Sequence, residues 1–258
     1  MNFKKLSITF AFLIFALYSG LIVSILYFFK GHIFAETLFS ERTLFSIQLS
    51  IIAATIATTL SVILAIPSAY ALSRFEFKGK HVIDTMLELP MIVSPAALGA
   101  LILIFFNTPL GEFIQKHTLQ FIFAFSGIVL AQFVTTAGIA TRLIKAAMDE
   151  IPGRYEDVAR SLGASPVRAF LTVTLPLSKR GIFASSILTW AKALGEFGAT
   201  IMVAGTMAMK TETLPIAIFM RLATADIEGT AALILILISI GFGILYVARL
   251  FTKKMPYA

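Results

Sequence analysis

The chain has no cysteine among its 258 residues and only three histidines, His32, His81 and His117. The absence of thiols excludes disulfide scaffolds, thiolate metal sites, iron–sulfur clusters and cysteine nucleophiles. Each histidine stands beside polar or charged residues, so none is placed where an apolar helix would hold a histidine as a metal ligand. The sequence predicts no metal site.

Charge is also scarce, since Asp, Glu, Lys and Arg together make up 14% of the residues while hydrophobic residues make up 58%. The mean hydropathy is +0.91. A soluble domain carries about 25% charged residues, so this composition predicts an integral membrane protein. Six spans of about 20 residues each take up about 120 residues before any loop is counted and leave little for a second domain. We therefore predict one transmembrane domain over residues 1–258.

Six apolar runs are long enough to cross a bilayer as helices. They cover residues 6–29, 44–72, 82–106, 121–146, 182–207 and 230–251. The first is too long for the apolar core of a signal peptide and lacks a clear cleavage site, so we interpret it as an uncleaved span. The fold class expected is an all-α membrane protein with six transmembrane helices.

Basic residues predict the sidedness of these helices. An even number of spans places both termini on one side, and fifteen lysines and arginines fall there. They are Lys4, Lys5, Arg74, Lys78, Lys80, Arg142, Lys145, Arg154, Arg160, Arg168, Lys179, Arg180, Arg249, Lys253 and Lys254. Five fall on the other side: Lys30, Arg42, Lys116, Lys210 and Arg221. The bias places both termini in the cytoplasm, and it explains the net charge of +7 without nucleic acid as a partner.

The one long cytoplasmic segment, residues 149–180, carries helix punctuation. Pro152 suits a first helical turn and Gly163 a C-terminal stop, which predicts one short helix. Ser165-Pro166 reads as an N-cap that opens a second helix, and this helix must end or bend before Pro176. The first helix is amphipathic. Its apolar stripe consists of Tyr155, Val158 and Leu162, and its polar face holds Glu156, Asp157 and Arg160. Such a surface favours docking of a cytoplasmic partner over reading DNA, because spans tether both ends of the segment.

These residues resemble a known motif. The run Tyr155-Glu156-Asp157-Val158-Ala159-Arg160-Ser161-Leu162-Gly163, followed by Leu175-Pro176, resembles the Glu-Ala-Ala loop of ABC importer permease subunits. Asp157 and Val158 depart from the double alanine that names the motif. The resemblance implies a type I permease fold in which this loop sits in a cleft of an ATPase subunit. The coupling residues that it implies are Tyr155, Glu156, Asp157, Val158, Ala159, Arg160, Leu162, Gly163 and Pro176.

A second stretch narrows the family. The run from Ala193 to Thr200, ALGEFGAT, and the later run from Thr211 to Pro215, TETLP, resemble molybdate, tungstate and sulfate permeases. The compact chain is most similar to the molybdate/tungstate subunit, which pairs with itself. The resemblance implies a homodimer in the cell membrane, an ATPase dimer on the cytoplasmic side and an external oxyanion-binding protein. A sulfate or thiosulfate permease remains the alternative.

No phosphate-binding loop of the form G-x-x-x-x-G-K-[ST] appears, and Gly79-Lys80-His81 is only a fragment of one. We therefore predict that the chain is not itself an enzyme, has no catalytic residue and binds no cofactor, while ATP and Mg sit in the partner ATPase. An ATP-independent secondary transporter is the first alternative, although only Glu88 and Glu196 are acids placed within spans. An intramembrane hydrolase is the second, but no G-x-S-x-G motif supports it.

Helix breakers and hydroxyls indicate candidate pathway residues. Breaks in membrane helices gather around pathways because freed backbone groups need partners there, with a plain packing kink as the alternative. A fixed cation would trap a doubly charged anion, so hydroxyls and helix ends are expected to line the route. Hydroxyls that bond back to their own helices are the alternative. The candidates are Pro90, Ser94, Pro95, Thr135, Thr136, Gly195, Glu196, Gly198 and Thr200.

Glu196 is expected to play a structural part. An ionised carboxylate repels an oxyanion, and Lys192 lies four residues earlier on the same helical face. We predict an intrahelical pair that holds the fifth span in register beside Gly195 and Gly198.

Overall fold

The computed structural model describes residues 3–254, and the described chain is helical with no strand. Its α-helices are α1 (Phe3–Ile25), α2 (Gly31–Phe39), α3 (Glu41–Arg74), α4 (Lys80–Met86), α5 (Leu89–Ile92), α6 (Pro95–Phe106), α7 (Pro109–His117), α8 (Phe125–Asp149), α9 (Arg154–Ser161), α10 (Pro166–Ala169), α11 (Leu175–Leu194), α12 (Gly198–Ala204), α13 (Leu214–Ala223) and α14 (Ile227–Lys254). A 3₁₀ turn at Leu26–Phe28 follows α1, and a π turn at Phe170–Thr174 joins α10 to α11.

Within residues 3–254, four helices are long and apolar enough to cross a membrane, and two bent pairs raise the number to six if each pair is one span. The four are α1 with its 3₁₀ turn, α3, α8 and α14. The bent pairs are Lys80–Ile92 with Pro95–Phe106, at 112°, and Pro166–Leu194 with Gly198–Ala204, at 55°. The bends fall in the third apolar run, which contains Pro90 and Pro95, and in the fifth, which contains Gly195 and Gly198. These are the two runs in which helix breakers indicate a bend.

The first bend is much sharper than a proline kink. Ser94 is extended, with ψ 145°, because the residue before a proline is sterically kept from the helical region. Its side chain accepts a hydrogen bond from the Ala97 backbone N–H and so caps a new helix that begins at Pro95. A single continuous helix over residues 82–106 is thus replaced by separate helices. Glu88 lies at the N-cap of α5.

The core is the parallel pair α3 and α8. Ser61 bonds to Thr136 near the middle of the pair, and the Ser73 hydroxyl donates to the Asp149 carboxylate near the end, so both helices run in the same direction. Small side chains face each other between them. Ala65 and Ala69 of α3 pack with Ala140 and Ile144 of α8, and all four are buried. Close backbone approach through small residues is the main way to pack helices tightly in lipid.

Two further groups complete the bundle. Helix α12 packs against α6, where a Cβ on Gly99 would lie 2.8 Å from the Ala199 Cα. Leu214 and Ala217 of α13 pack with Leu233 and Ile236 of α14. The apolar stretch that begins at Leu214 therefore forms a helix that packs on α14. None of the residues of α1 is buried within the subunit. Arg249, Lys253 and Lys254, which contribute to the predicted charge bias, lie outside the residues whose side chains are described.

Candidate functional site

Glu156 is the centre of a buried polar cluster at the end of the bundle that carries residues 149–180. Only 8% of the residue is exposed. The Tyr70 hydroxyl donates to its Oε2 at 2.8 Å, and Arg74 Nε donates to its Oε1 at 2.9 Å. The Thr174 hydroxyl also donates to Oε1. One carboxylate thereby joins α9 to the end of α3 and to the π turn.

Arg74 extends this cluster to a third helix. Its Nη2 donates to the Ile151 carbonyl at 2.7 Å and to the Met148 carbonyl at 3.1 Å, which satisfies acceptors at the C-terminal end of α8. A cation at a helix C-terminus also complements the helix dipole. The guanidinium therefore neutralises Glu156 and caps α8 with the same side chain.

The hydrogen bonds of Glu156 determine its protonation. Burial alone would raise the pKa of this carboxyl, but the bonds from Thr174, Arg74 and Tyr70 outweigh burial and lower it below the ordinary glutamate value. A lowered pKa in the folded state adds stability that is fully present above the unfolded pKa and is lost as pH falls through the folded value. The Glu156 carboxyl is therefore expected to be ionised at neutral pH and paired with the Arg74 guanidinium.

Gly163 ends α9 in the way that the sequence predicts. Its φ is +91°, the Ala164 N–H donates to the Ala159 carbonyl at 3.0 Å and the Gly163 N–H donates to the Arg160 carbonyl at 2.9 Å. This pair of bonds is a Schellman motif, for which the residue with positive φ is usually glycine. Ser165 then caps the next helix by accepting from the Arg168 N–H at 3.3 Å, which confirms the predicted N-cap.

Two boundaries in this segment differ from the sequence-based expectation. The first helix begins at Arg154 and not at Pro152. The second helix does not end before Pro176, because the π turn Phe170–Thr174 joins α10 to α11 as one continuous helix. The wider turn allows Pro176 to lie in the first turn of α11, where its missing N–H is tolerated.

Most of the other predicted coupling residues face away from the bundle. Leu162 is 85% exposed and Val158 is 59% exposed, which is unusual for apolar side chains at the end of a helix. The remaining exposed members are Tyr155, Asp157, Arg160, Gly163 and Pro176, while Ala159 is half-buried. Glu156 is thus separated from its neighbours in the motif, since it points inward and they point outward.

The break in the fifth span is built around Glu196, as predicted. Lys192 Nζ lies 2.9 Å from Glu196 Oε2, and Glu196 Oε1 accepts from the Ala199 N–H at 3.0 Å, so the carboxylate both pairs with α11 and caps α12. A Cβ on Gly198 would lie 2.9 Å from the Ala96 backbone nitrogen. Gly198 is therefore a point of close approach, whereas a Cβ on Gly195 would make only an ordinary contact, 3.7 Å from the Ala191 carbonyl oxygen, so packing requires no glycine there.

The remaining candidate pathway residues do not share one surface. Thr135 and Thr136 are buried and donate to carbonyls of their own helix, and Thr136 also bonds Ser61. Thr200 is fully buried, and no partner for its hydroxyl is described. The others lie at the bend between α5 and α6. Among them, Ser94 is exposed, and Pro90 and Pro95 are half-buried.

A second buried carboxylate lies at the opposite end of α3, where sequence reasoning assigned no site. Arg42 Nε and Nη2 donate to the two oxygens of Glu212 at 2.7 and 2.6 Å, and Glu212 is fully buried. The Leu214 N–H donates to the Ser50 hydroxyl at 2.7 Å beside this pair. The sequence carried no local signal for this pair, because Glu212 stands in a polar run with Lys210, Thr211 and Thr213 and its partner lies 170 positions away.

Replacing Arg42 by methionine should destabilise the subunit, because the Glu212 carboxylate would remain buried without its partner. Removing one member of a buried pair costs about 3–5 kcal/mol, and the partial exposure of Arg42 favours the lower end, about 3 kcal/mol. Thermal unfolding of the detergent-solubilised subunit measures the loss. Lys210→Met, at an exposed lysine, is the control, and Arg42→Met/Glu212→Gln should recover part of the loss. Equal melting temperatures for Arg42→Met and wild type would contradict this account.

Within residues 3–254 no group of three or more His, Cys, Asp or Glu side chains is placed to hold a metal ion. The cluster around Glu156 forms a buried connection between α3, α8, α9 and the π turn. Ion pairs lie at two further places, the break in the fifth span and the far end of α3.

Sequence comparisons support the resemblance noted above. Residues 57–257 match the family described as binding-protein-dependent transport system inner membrane component. The molybdenum transport system permease protein ModB of Haemophilus influenzae is 35% identical over 214 residues, which are 81% of this chain and 93% of that protein. The sulfate transport system permease protein CysW of Synechocystis sp. is 31% identical over 199 residues, 76% of this chain and 72% of that protein.

A solved structure shares the fold. The structure of a bacterial alginate ABC transporter, in complex with an alginate pentasaccharide-bound periplasmic protein, matches with a TM-score of 0.79. The match covers 98% of this chain and 95% of that chain at 14% sequence identity. The likeness confirms the predicted all-helical permease fold.

Proposed function

The chain belongs to the family of binding-protein-dependent transport system inner membrane components, within the oxyanion group of ABC importer permeases, and from this premise we propose that it carries molybdate or tungstate across the membrane. The identity with ModB, higher than that with CysW, supports this choice of substrate. A sulfate permease is the second candidate, because CysW also aligns over 76% of this chain.

The loop of residues 149–180 is the proposed contact with the ATPase. The apolar side chains of Tyr155, Val158 and Leu162 are exposed on α9, while Glu156 fixes α9 to the bundle from the other side. Because Glu156 fixes one face of α9 to the bundle and the opposite face exposes apolar side chains, a partner that binds those side chains and moves α9 would also move α3 and α8. This geometry is the observation that supports coupling. ATP and Mg would be held by the partner subunit.

The remaining assembly follows from the charge bias and the family. We place residues 149–180 in the cytoplasm together with both termini, in accordance with the positive-inside rule. The opposite end, which carries Arg42 and Glu212, then faces the external binding protein that delivers the anion. Two copies of the chain would enclose the pathway between them, because the resemblance to the molybdate/tungstate subunit implies a subunit that pairs with itself.

Reconstitution tests the proposal. Proteoliposomes that hold the chain with its ATPase and binding protein should accumulate molybdate or tungstate only when ATP is supplied on the ATPase side. Preference for sulfate would favour the second candidate. Uptake without ATP would indicate a secondary transporter and overturn the proposal.

Replacing Glu196 tests the structural role of its carboxylate. Glu196→Gln keeps the oxygen that caps α12 and should lower uptake less than Glu196→Ala, which removes both the cap and the contact with Lys192. Loss of an N-cap alone costs about 1 kcal/mol. Uptake in proteoliposomes, at matched protein level and ATPase content, is the measurement. Uptake by Glu196→Gln no higher than that by Glu196→Ala would contradict the structural role.

A further inference from the structure

Lys192 carries a charge on an exposed face of a membrane-spanning helix. It lies ten residues after Ile182, the start of the predicted span, which is about 15 Å along the helix and close to the middle of the hydrocarbon. Its side chain is 43% exposed, whereas that of Glu196 is 1% exposed. A lysine ammonium at this depth faces water or protein rather than lipid, because hydrocarbon does not solvate it.

The exposed face around Lys192 leads to the break in the fifth span. Leu188, one turn before it, is 54% exposed, and Gly195, at the end of α11, is exposed as well. Among these three residues Lys192 alone is charged. The ammonium is therefore a charged group that is exposed next to the break.

The Glu196 side chain is buried, so it contacts the Lys192 ammonium from the interior of the subunit and does not share its exposed surface. Its two oxygens are occupied, one by Lys192 Nζ and the other by the Ala199 N–H, and the carboxylate is fixed in the interior. A lysine ammonium has three donors, and Glu196 is the one acceptor described for this one. An anion that approaches from the exposed side meets free donors, while the pair as a whole carries no net charge.

We propose that Lys192 is a direct contact for the divalent oxyanion on its route through the subunit, with Glu196 as the counter-charge. This inference rests on the proposed function and names a residue of that pathway. The attraction of the ammonium brings the anion to the break, and the buried carboxylate weakens this attraction so that the anion is released. A fixed cation without such a partner would hold a dianion more strongly.

The absence of cysteine from the chain permits a selective experiment. Lys192→Cys is introduced together with Glu196→Gln, so that no buried carboxylate is left unpaired. The complete complex in proteoliposomes is then treated with a cationic, a neutral or an anionic methanethiosulfonate reagent, and molybdate uptake is measured. The wild-type complex, treated in the same way, controls for thiols in the partner subunits. Leu13→Cys, on the apolar and exposed α1, controls for a thiol that faces hydrocarbon.

We expect the thiol introduced by Lys192→Cys to react and the thiol introduced by Leu13→Cys not to react. The untreated double variant should transport at least about tenfold more slowly than wild type, since the anion loses the charged hydrogen-bond donors that it meets on the exposed side. The cationic reagent should raise uptake several-fold above the untreated level, and the anionic reagent should lower it further.

Three results would count against these expectations. If the double variant transports as fast as wild type, Lys192 serves only to neutralise Glu196 and the inference is wrong. A thiol in place of Lys192 that does not react contradicts the inference equally. If the wild-type complex does not transport an oxyanion, the proposed function fails instead.

Discussion

Replacing Gly163 by valine should abolish ATP-driven uptake while the subunit still inserts into the membrane. Gly163 has φ +91°, and no heavy atom lies within 4 Å of the position of an added Cβ. The penalty therefore comes from the backbone and not from a clash. A Cβ in the left-handed region costs about 1–2 kcal/mol, and a β-branched residue is less tolerated there than most. Relief of this strain would break the Schellman bonds and redirect the start of α10.

Gly153 provides a matched control within the same loop. It too has no heavy atom within 4 Å of an added Cβ, but its φ is −57°, which any residue adopts. Gly153→Val should retain ATPase binding and uptake, whereas Gly163→Val should lose both. Co-purification of the ATPase with each variant, followed by uptake in proteoliposomes, makes the comparison. If Gly163→Val shows normal uptake, the turn at Gly163 is not required for coupling.

The features that the sequence predicted correctly are local. The turn at Gly163, the cap at Ser165 and the pair of Lys192 with Glu196 each depend on residues at most five positions apart. Propensity and helical spacing are sufficient for such features. The helix boundaries at Pro152 and Pro176 were less predictable. At Pro176 the chain forms a π turn, which is one of several ways to accommodate a proline.

The features that sequence reasoning missed are separated widely along the chain. Arg74 and Glu156 are 82 positions apart, and Arg42 and Glu212 are 170 positions apart. Arg74 entered the sequence interpretation only as one cytoplasmic charge among fifteen. Its role follows from the parallel packing of α3 on α8, which brings the ends of both helices to the start of α9. Only the tertiary fold reveals this placement.

Replacing Arg74 by methionine should have the largest effect on coupling. The Glu156 carboxylate would remain buried with two neutral donors in place of a cation, and the Met148 and Ile151 carbonyls would lose their cap. Removal of one member of a buried ion pair costs about 3–5 kcal/mol. Movement of α9 away from the bundle hydrates the carboxylate and relieves most of this cost. We therefore expect a subunit that is folded in its spans but has lost ATPase binding and uptake.

A double variant separates the charge from the loss of packing. Arg74→Met/Glu156→Gln leaves no orphan charge, and the glutamine can still accept from Tyr70 and Thr174. It should bind the ATPase better than Arg74→Met alone, with a coupling energy of about 0.5–3 kcal/mol between the two positions. Lys78→Met, at an exposed lysine four positions along the chain, should behave as wild type and exclude a general effect of cytoplasmic charge. If the double variant is no better than the single one, the ion pair is not what holds α9. The capping of α8 by Arg74 would then be the contact on which coupling depends.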